Sequence, residues 1–254
     1  MITSTGFAQS MPRSKSKFHK GESTFELGIL GGLNIPNLNG GGGNPLSSGW
    51  SSRIGKAFGL TATLGLGSNL FLQADVLYSG EGGKRNGMQA IDASTLNPAA
   101  SAGTYFYADF KNEAILNYIE IPLMIKYKFP VSRTSSLYVN FGPYAGLLLN
   151  ARQKTSGSSI VYGDAAGTIP VSFDQSTGNP VEIPFSADTD MTKDIKTSII
   201  GLTGGFGFWQ MIGFGDISIG IRGAYGLTTI QKDLINGSNH TGNLLFAVNY
   251  SIPF

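Results

Sequence analysis

The sequence predicts an all-β fold: an eight-stranded antiparallel up-and-down transmembrane β-barrel of the bacterial outer-membrane kind. Apolar residues alternate with small or polar ones along several segments, which places them on one face of a strand. Connections of very unequal length separate these segments, as in outer-membrane barrels. Only 13% of the residues are charged, about half the usual share of a soluble domain. The pattern is clearest at the C-terminus, in Leu244, Phe246, Val248, Tyr250, Ile252 and Phe254.

Each of the first four strands is predicted from apolar residues at every second position; we call these positions the apolar parity and the positions between them the polar parity. Strand one is about 24–35, strand two about 53–66, strand three about 70–79 and strand four about 113–129. Their apolar positions are Phe25, Leu27, Ile29, Leu33 and Ile35; Phe58, Leu60, Ala62 and Leu64; Leu70, Leu72, Ala74, Val76 and Tyr78; and Ile115, Ile119, Ile121, Leu123, Ile125, Tyr127 and Phe129.

The last four strands follow from the same period of two. They are about 137–150, 197–209, 216–228 and 242–254. Their apolar positions are Leu137, Val139, Phe141, Ala145, Leu147 and Leu149; Ile200, Leu202, Phe206 and Phe208; Ile217, Ile219, Ile221, Tyr225 and Leu227; and the C-terminal series given above. Each predicted strand suffices to cross a bilayer, which takes roughly 9–11 residues when the strand is tilted.

Short and long connections alternate along the chain. In an up-and-down barrel, every second connection lies at the same end, so one rim carries the short turns and both termini. Outer-membrane barrels place short turns in the periplasm and long loops outside the cell. We therefore expect a bacterial outer-membrane protein with both termini periplasmic. The long connections are 36–52, 80–112, 151–196 and 229–241; the short ones are 67–69, 130–136 and 210–215.

The N-terminal segment 1–23 is predicted to lie outside the barrel domain, which spans 24–254. Residues 6–10 resemble the end of a signal peptide, and a basic, Ser-rich stretch without periodicity follows. We expect this stretch to be flexible. It is either a solvated tail or a periplasmic contact for a partner or anionic lipid.

The polar parity favours a membrane barrel over a soluble, lipocalin-like one. It is mostly Gly, Ser, Thr and Asn, which suits a lumen better than a surface facing water. Aromatic residues near the short-turn rim also resemble the girdle at a membrane interface. The girdle residues are Phe25, Tyr127, Phe129 and Phe208.

A polar network is predicted inside the barrel. Glu120 has lumenal parity, and a buried carboxylate needs a cation or hydrogen-bond donors. Arg222 is the predicted partner, and Glu26, Asp75 and Tyr118 are candidates to join them. Pro122 cannot donate to a neighbouring strand, so a bulge or bend is expected there.

Two stretches resemble the PorT-like outer-membrane β-barrel family of Bacteroidota. Residues 118–127, YIEIPLMIKY, resemble that family's "YxEIPLxxKY" strand, and residues 141–146, FGPYAG, resemble its "GPYxG" strand. The resemblance implies an eight-stranded barrel in the outer membrane, and some members are associated with type IX protein secretion. Tyr250, Ile252 and Phe254 resemble the C-terminal signal that the barrel-insertion machinery reads.

No residue pattern indicates an enzyme, a cofactor or a metal centre. His240 lies in a predicted loop without a nucleophile elbow or a metal-spaced partner. Asp188, Asp190 and Asp194 offer oxygen ligands to Ca²⁺, although a solvated acidic loop is the favoured interpretation. Cysteine is absent, and a formal net charge of +2 does not suggest a nucleic-acid partner.

The leading functional hypothesis is a non-enzymatic accessory or scaffold barrel, surrounded by the lipid bilayer and lipopolysaccharide. It binds a protein partner in an outer-membrane complex through its long loops or its periplasmic tail. A surface adhesin or ligand-binding barrel is the first alternative. A narrow diffusion channel ranks lower, because an eight-stranded interior is only wide enough for side chains. A barrel enzyme ranks last.

Overall fold

A computed structural model describes residues 25–101 and 103–254. The predicted leader 1–23 lies outside the described residues. Among the described residues, none of the helices has the length and apolar character needed to cross a membrane.

Within the described residues, eight long antiparallel strands close into a ring, which confirms the predicted fold. The eight strands follow one another around the ring in chain order, and the last strand pairs again with the first. The strands are β1 (Phe25–Gly40), β2 (Gly55–Gly65), β3 (Leu70–Asp92), β4 (Tyr105–Pro130), β5 (Ser135–Ser156), β9 (Ser198–Ile212), β10 (Gly215–Gly226) and β11 (Asn239–Pro253). Two 3₁₀ turns, Ala93–Thr95 and Leu234–Asn236, lie in connections.

The ring closes between the first and last strands along nearly their whole length. The ladder runs from Glu26 opposite Pro253 to Gly40 opposite Asn239. Beyond it, the Phe254 amide donates to the Phe25 carbonyl at 2.8 Å. We call this end, which also carries the tight turns, the short-turn end; the opposite end is the long-loop end.

The apolar parity faces outward around the ring. Leu60 is 63% exposed and Phe206 is 62% exposed, whereas Asp75 is 1% exposed. A water-soluble protein buries its large apolar side chains and avoids contiguous apolar patches of this extent. The outer surface is therefore one that a bilayer, rather than water, covers.

Two strands extend well beyond the segments that alternation predicted. Residues 80–112 were expected to form a loop, but β3 and β4 stay paired up to Asp92 opposite Tyr105. Their outward positions in this extension include the exposed Lys84 and Lys111, so the barrel wall continues past the apolar band into water. The outward positions there are mostly polar or charged, so the apolar alternation that marks a lipid-facing strand is missing although the strand continues.

The long connection 157–197 contains ordered β-structure. Short strands β6 (Ser158–Ser159) and β7 (Ile183–Pro184) pair with each other. Strand β8 (Ala187–Asp190) adds to the end of β5 by pairing with residues 152–155. This connection therefore forms part of the barrel wall at the long-loop end.

Pro122 does not shift the strand register, contrary to the expected bulge. It stays opposite Tyr144, and the register on both sides of it is the same. The register between β4 and β5 shifts instead at Asn117 and Tyr118. Pro122 therefore only removes one N–H donor from the ladder. The bulge lies about four residues closer to the long-loop end.

Candidate functional site

The membrane-spanning interior contains a buried ion pair. The Arg222 guanidinium lies 2.8 Å from the Asp75 carboxylate, and the Gln73 side-chain amide donates to that carboxylate at 2.8 Å. Arg222 therefore pairs with Asp75, and not with Glu120 as predicted. The prediction chose the wrong acid because β10 faces β3 across the lumen, a geometry that strand parity does not specify.

The other predicted members of the network also face inward but are not joined to that pair. Glu26 lies 3.3 Å from the Lys128 ammonium near the short-turn end. Glu120 and Tyr118 are buried, and neither the Glu120 Oε1 atom nor the Tyr118 hydroxyl has a hydrogen-bond partner among the described residues. The five residues thus share the interior without forming one continuous network.

Sequence reasoning missed a further buried carboxylate, Glu81. It accepts hydrogen bonds from Asn34 at 2.8 Å, Ser79 at 2.8 Å and Asn243 at 2.6 Å. Glu81 lies in the stretch expected to be a loop. Continuing the inward parity of β3 from Asp75 would have identified it.

Small gaps rather than a pore remain in this interior. Two cavities, one against Glu120 and Arg222 and one against Lys126 and Tyr138, measure about 10 and 20 Å³. A single water needs roughly 10–15 Å³. The Lys126 ammonium sits 4.3 Å from the Tyr138 ring centroid, so long side chains fill the lumen.

An apolar layer covers the polar interior on the side of the long-loop end. Its buried members come from five different parts of the chain and pack together across the barrel. They include Leu38, Leu116, Tyr144, Ile199 and Ile230. The layer lies between the charged lumen and the long-loop end of the barrel.

Beyond this layer, the extended strands and the long connection enclose a chamber of about 730 Å³. Strands β3, β4 and β5 form one wall, while β7, β8 and the loop after β1 complete it. Apolar side chains dominate the lining: Leu38, Leu46, Trp50, Leu96, Phe110, Phe185, Met191, Ile195 and Ile230. The volume falls within the roughly 300–1,000 Å³ typical of small-molecule sites.

One wall of the chamber carries a chain of amides. Gln153 donates to the Asn112 side-chain carbonyl at 3.1 Å, and Asn112 donates to Gln89 at 3.3 Å. Gln89 in turn donates to the Phe110 carbonyl at 2.7 Å. These groups satisfy one another, so they form a fixed polar stripe rather than a set of free donors.

Arg85 is the buried charge of the chamber. It is 8% exposed, and its guanidinium lies 4.6 Å from the Trp50 ring centroid. It donates to the backbone carbonyls of Ser48 at 3.0 Å and Pro45 at 3.4 Å. Burial lowers the pKa of Arg85 to about 10.

The remaining predicted site residues lie at the rims. Phe25, Tyr127, Phe129 and Phe208 are all exposed on the outer face near the short-turn end, and Tyr127 packs edge-on against Phe129 at 4.7 Å. Of the C-terminal residues, Ile252 and Phe254 are also exposed there, and Tyr250 is half-buried.

The candidate Ca²⁺ ligands and His240 interact with neighbouring residues of the chain. Asp188 pairs with Arg152 at 2.8 Å, and Asp190 accepts from the Thr192 amide at 2.8 Å. No group of three metal-binding side chains lies together anywhere in 25–101 or 103–254. His240 stacks on Tyr225 at 5.8 Å and contacts the Gly226 carbonyl at 3.0 Å.

Comparisons with solved structures identify other small barrels. Neisserial surface protein A is 12% identical, with a TM-score of 0.42, covering 90% of this chain and 98% of that one. The attachment invasion locus protein Ail of Yersinia pestis is 9% identical, with a TM-score of 0.38 and coverage of 91% and 100%. The N-terminal barrel domain of Pseudomonas aeruginosa OprF is 10% identical, with a TM-score of 0.39 and coverage of 92% and 100%.

No curated protein matches the chain. The family model described as "Outer membrane protein beta-barrel domain" matches residues 7–232, which is most of the sequence. That match agrees with the closed ring, the apolar outer surface and the polar interior. The chain therefore belongs to the outer membrane protein beta-barrel domain family, and its place is the outer membrane.

Proposed function

We propose that this protein is a non-enzymatic outer-membrane barrel that binds a small apolar ligand in the chamber at its long-loop end. The observation that carries the proposal is the contrast in free volume along the barrel. The chamber measures about 730 Å³, whereas the cavities of the membrane-spanning interior measure about 10 and 20 Å³. A ligand therefore has room in the chamber at the long-loop end, but no path through the packed membrane-spanning interior.

The packing below the chamber supports a binding role over a diffusion channel. An apolar layer that includes Tyr144 and Ile199 forms the floor of the chamber, and the Asp75–Arg222 pair lies in the lumen beneath it. Opening a path would expose a buried ion pair and break several packed contacts at once. The interior thus acts as a plug.

The proposed orientation places the long-loop end outside the cell and the short-turn end, with the chain termini, in the periplasm. Short periplasmic turns and longer exterior loops are the rule in bacterial barrels. In this orientation, the chamber opens toward the exterior medium.

Methyl NMR in lipid nanodiscs tests the binding proposal with decan-1-ol as the probe. Ile195 and Ile230 line the chamber, whereas Ile219 is 58% exposed on the outer face. We expect the chamber methyl signals to shift and saturate, and the Ile219 signal to change only in proportion to the alcohol dissolved in lipid.

Filling the chamber supplies the matched control. Ala114 lines the chamber and packs against its apolar floor, so Ala114→Phe reduces the free volume without adding charge. The variant is expected to abolish the saturable shifts at Ile195 and Ile230. Saturable shifts that persist in the filled variant, or their absence in the unmodified protein, would refute the proposal.

A second candidate function, a partner-binding accessory or scaffold barrel, is favoured by the outer part of the long connection. Ile169, Phe173 and Val181 are 59%, 50% and 40% exposed on this β-paired segment, outside the lipid-facing band. Such a patch suits a protein partner or a surface ligand in adhesion. The resemblance to the PorT-like family links this candidate to type IX secretion. Co-purification in mild detergent with and without Phe173→Ser tests it; an unchanged set of bound proteins would count against it.

We also propose that the C-terminal residues Tyr250, Ile252 and Phe254 are read by the barrel-insertion machinery. The Phe254 side chain is exposed, so truncating it disturbs little packing and keeps its backbone bond to Phe25. Phe254→Ala is expected to lower assembly in cells while leaving refolding into detergent unchanged. Equal assembly in cells would overturn this assignment.

A further inference from the structure

We propose that the occupant of the chamber is an amphipathic anion, an unbranched apolar chain that ends in a single carboxylate held at Arg85. This inference rests on the proposed binding function and specifies its ligand class. The chamber supplies an apolar volume for the chain and one buried cation for the head group.

The charge of Arg85 has no counterion among the described residues. No carboxylate lies within ion-pair distance of it in residues 25–101 or 103–254. Two backbone carbonyls and the Trp50 ring provide partial compensation. Buried charges in proteins are ordinarily paired, because an unpaired one loses its hydration without replacement.

Two N–H donors at this corner also lack acceptors. The Arg85 Nε and the Trp50 Nε1 atoms are buried, and neither has a hydrogen-bond partner among the described residues. Their side chains stack on one another and both line the chamber. Buried donors are normally satisfied, so this pair indicates a site for an acceptor that the described residues do not provide.

The other charged residues of the lining do not compete for this role. Arg152 is about half exposed and pairs with Asp188. Asp92 accepts from the Ser94 amide at 2.9 Å and the Ser94 hydroxyl at 2.6 Å, and it serves to cap a 3₁₀ turn. Asp194 is exposed. Among the described residues of the lining, a ligand head group therefore meets one buried charge, and that charge is positive.

The chemistry of the site favours a monoanionic carboxylate. A guanidinium binds a planar carboxylate through parallel hydrogen bonds, and a single cation balances a single negative charge. Elsewhere in the lining, Phe110 stacks on Phe185 with their ring centroids 4.7 Å apart, and Met191 contributes an adaptable apolar surface. These walls suit a flexible hydrocarbon chain better than a second polar group.

The test compares decanoate with decan-1-ol in nanodiscs, at a mildly alkaline pH that keeps decanoate ionised and stays below the pKa of about 10 of Arg85. The Ile195 and Ile230 methyl signals measure binding at the chamber. Decanoate is expected to bind more tightly than the alcohol. Arg85→Met is expected to weaken decanoate at least about tenfold, since a hydrogen bond to a charged group contributes roughly 1.5–3 kcal/mol. It should leave decan-1-ol within about threefold. Lys84→Met is the matched control, because it removes a positive charge from the outward face of the same strand, outside the chamber lining.

The outcomes separate this inference from the proposed function. Equal binding of both probes, unaffected by Arg85→Met, overturns the inference and leaves the binding function standing. Loss of both probes in Arg85→Met also overturns it, because Arg85 would then only support the wall. Saturable binding of neither probe to the unmodified protein overturns the binding function itself.

Discussion

The buried pair of Asp75 and Arg222 gives the sharpest stability prediction. Asp75 has a fully buried side chain and Arg222 one that is 12% exposed, at 2.8 Å separation. Replacing Arg222 with Met leaves the carboxylate with Gln73 as its only remaining donor among the described residues. Breaking a buried pair from one side costs about 3–5 kcal/mol, because the remaining charge keeps its desolvation penalty.

The effect of removing both partners should be much smaller. In the double variant Asp75→Asn with Arg222→Met, neither member of the pair remains as a buried charge without its partner, and Gln73 can still donate to the new amide oxygen. We expect this variant to recover most of the lost free energy of unfolding. The surface variant Arg152→Met serves as a control and should change it by about 0–1 kcal/mol, since its side chain is 52% exposed.

The assay is equilibrium unfolding in guanidinium from lipid vesicles, followed by fluorescence of the tryptophans Trp50 and Trp209. Trp209 lies against Lys128 in the barrel interior, with its ring centroid 4.2 Å from the ammonium, so it reports on the membrane-spanning part. A loss below about 1 kcal/mol in Arg222→Met, or additive effects in the double variant, would refute the reasoning.

Three further predictions follow from other parts of the barrel. Gly59→Ala should destabilise the barrel by about 1–3 kcal/mol, because the new Cβ atom would lie 2.0 Å from the Val76 carbonyl oxygen. Gly31→Ala is the control and should be neutral, because its Cβ atom would meet nothing within 4 Å. Urea unfolding in vesicles compares the two variants. Hydrogen bonds from Ser176 and Thr177 lower the pKa of Asp174 to about 2. The turn that Asp174 caps is therefore fully stabilised at pH values above 3.8, the ordinary pKa, and loses this stabilisation as the pH falls through 2. An NMR titration with an ordinary midpoint would contradict this. In planar bilayers, the protein should show no stable conductance steps, and regular ohmic openings would count against the sealed interior.

The membrane-spanning strands could be predicted from the sequence because contact with the bilayer requires an apolar residue at every second position. Apolar alternation marks the positions that contact lipid, such as Ile29, Leu60 and Phe206, and all of these face outward. Past the apolar band, the outward positions of β3 and β4 are mostly polar or charged, so alternation no longer distinguishes a strand from a loop. The chamber lies in that region.

The candidate site was therefore only partly predictable. Parity correctly turned Asp75, Glu120 and Arg222 inward, but which of them pair depends on distances across the lumen. Arg85 and Glu81 fell in the segment expected to be a loop. Their common inward parity with Asp75 along β3 was the available signal, and it becomes meaningful only once the strand is known to continue.

Cysteine labelling in intact cells tests the central claim most directly, because the chain has no native cysteine. The account predicts that a water-soluble maleimide labels Ser186→Cys at the exposed chamber wall. It should label neither Thr203→Cys, 3% exposed in the sealed interior, nor Phe206→Cys, which faces lipid. Labelling of Thr203→Cys would show an open lumen, rapid labelling of Phe206→Cys would show a wall that faces water, and an unreactive Ser186→Cys would contradict the proposed orientation.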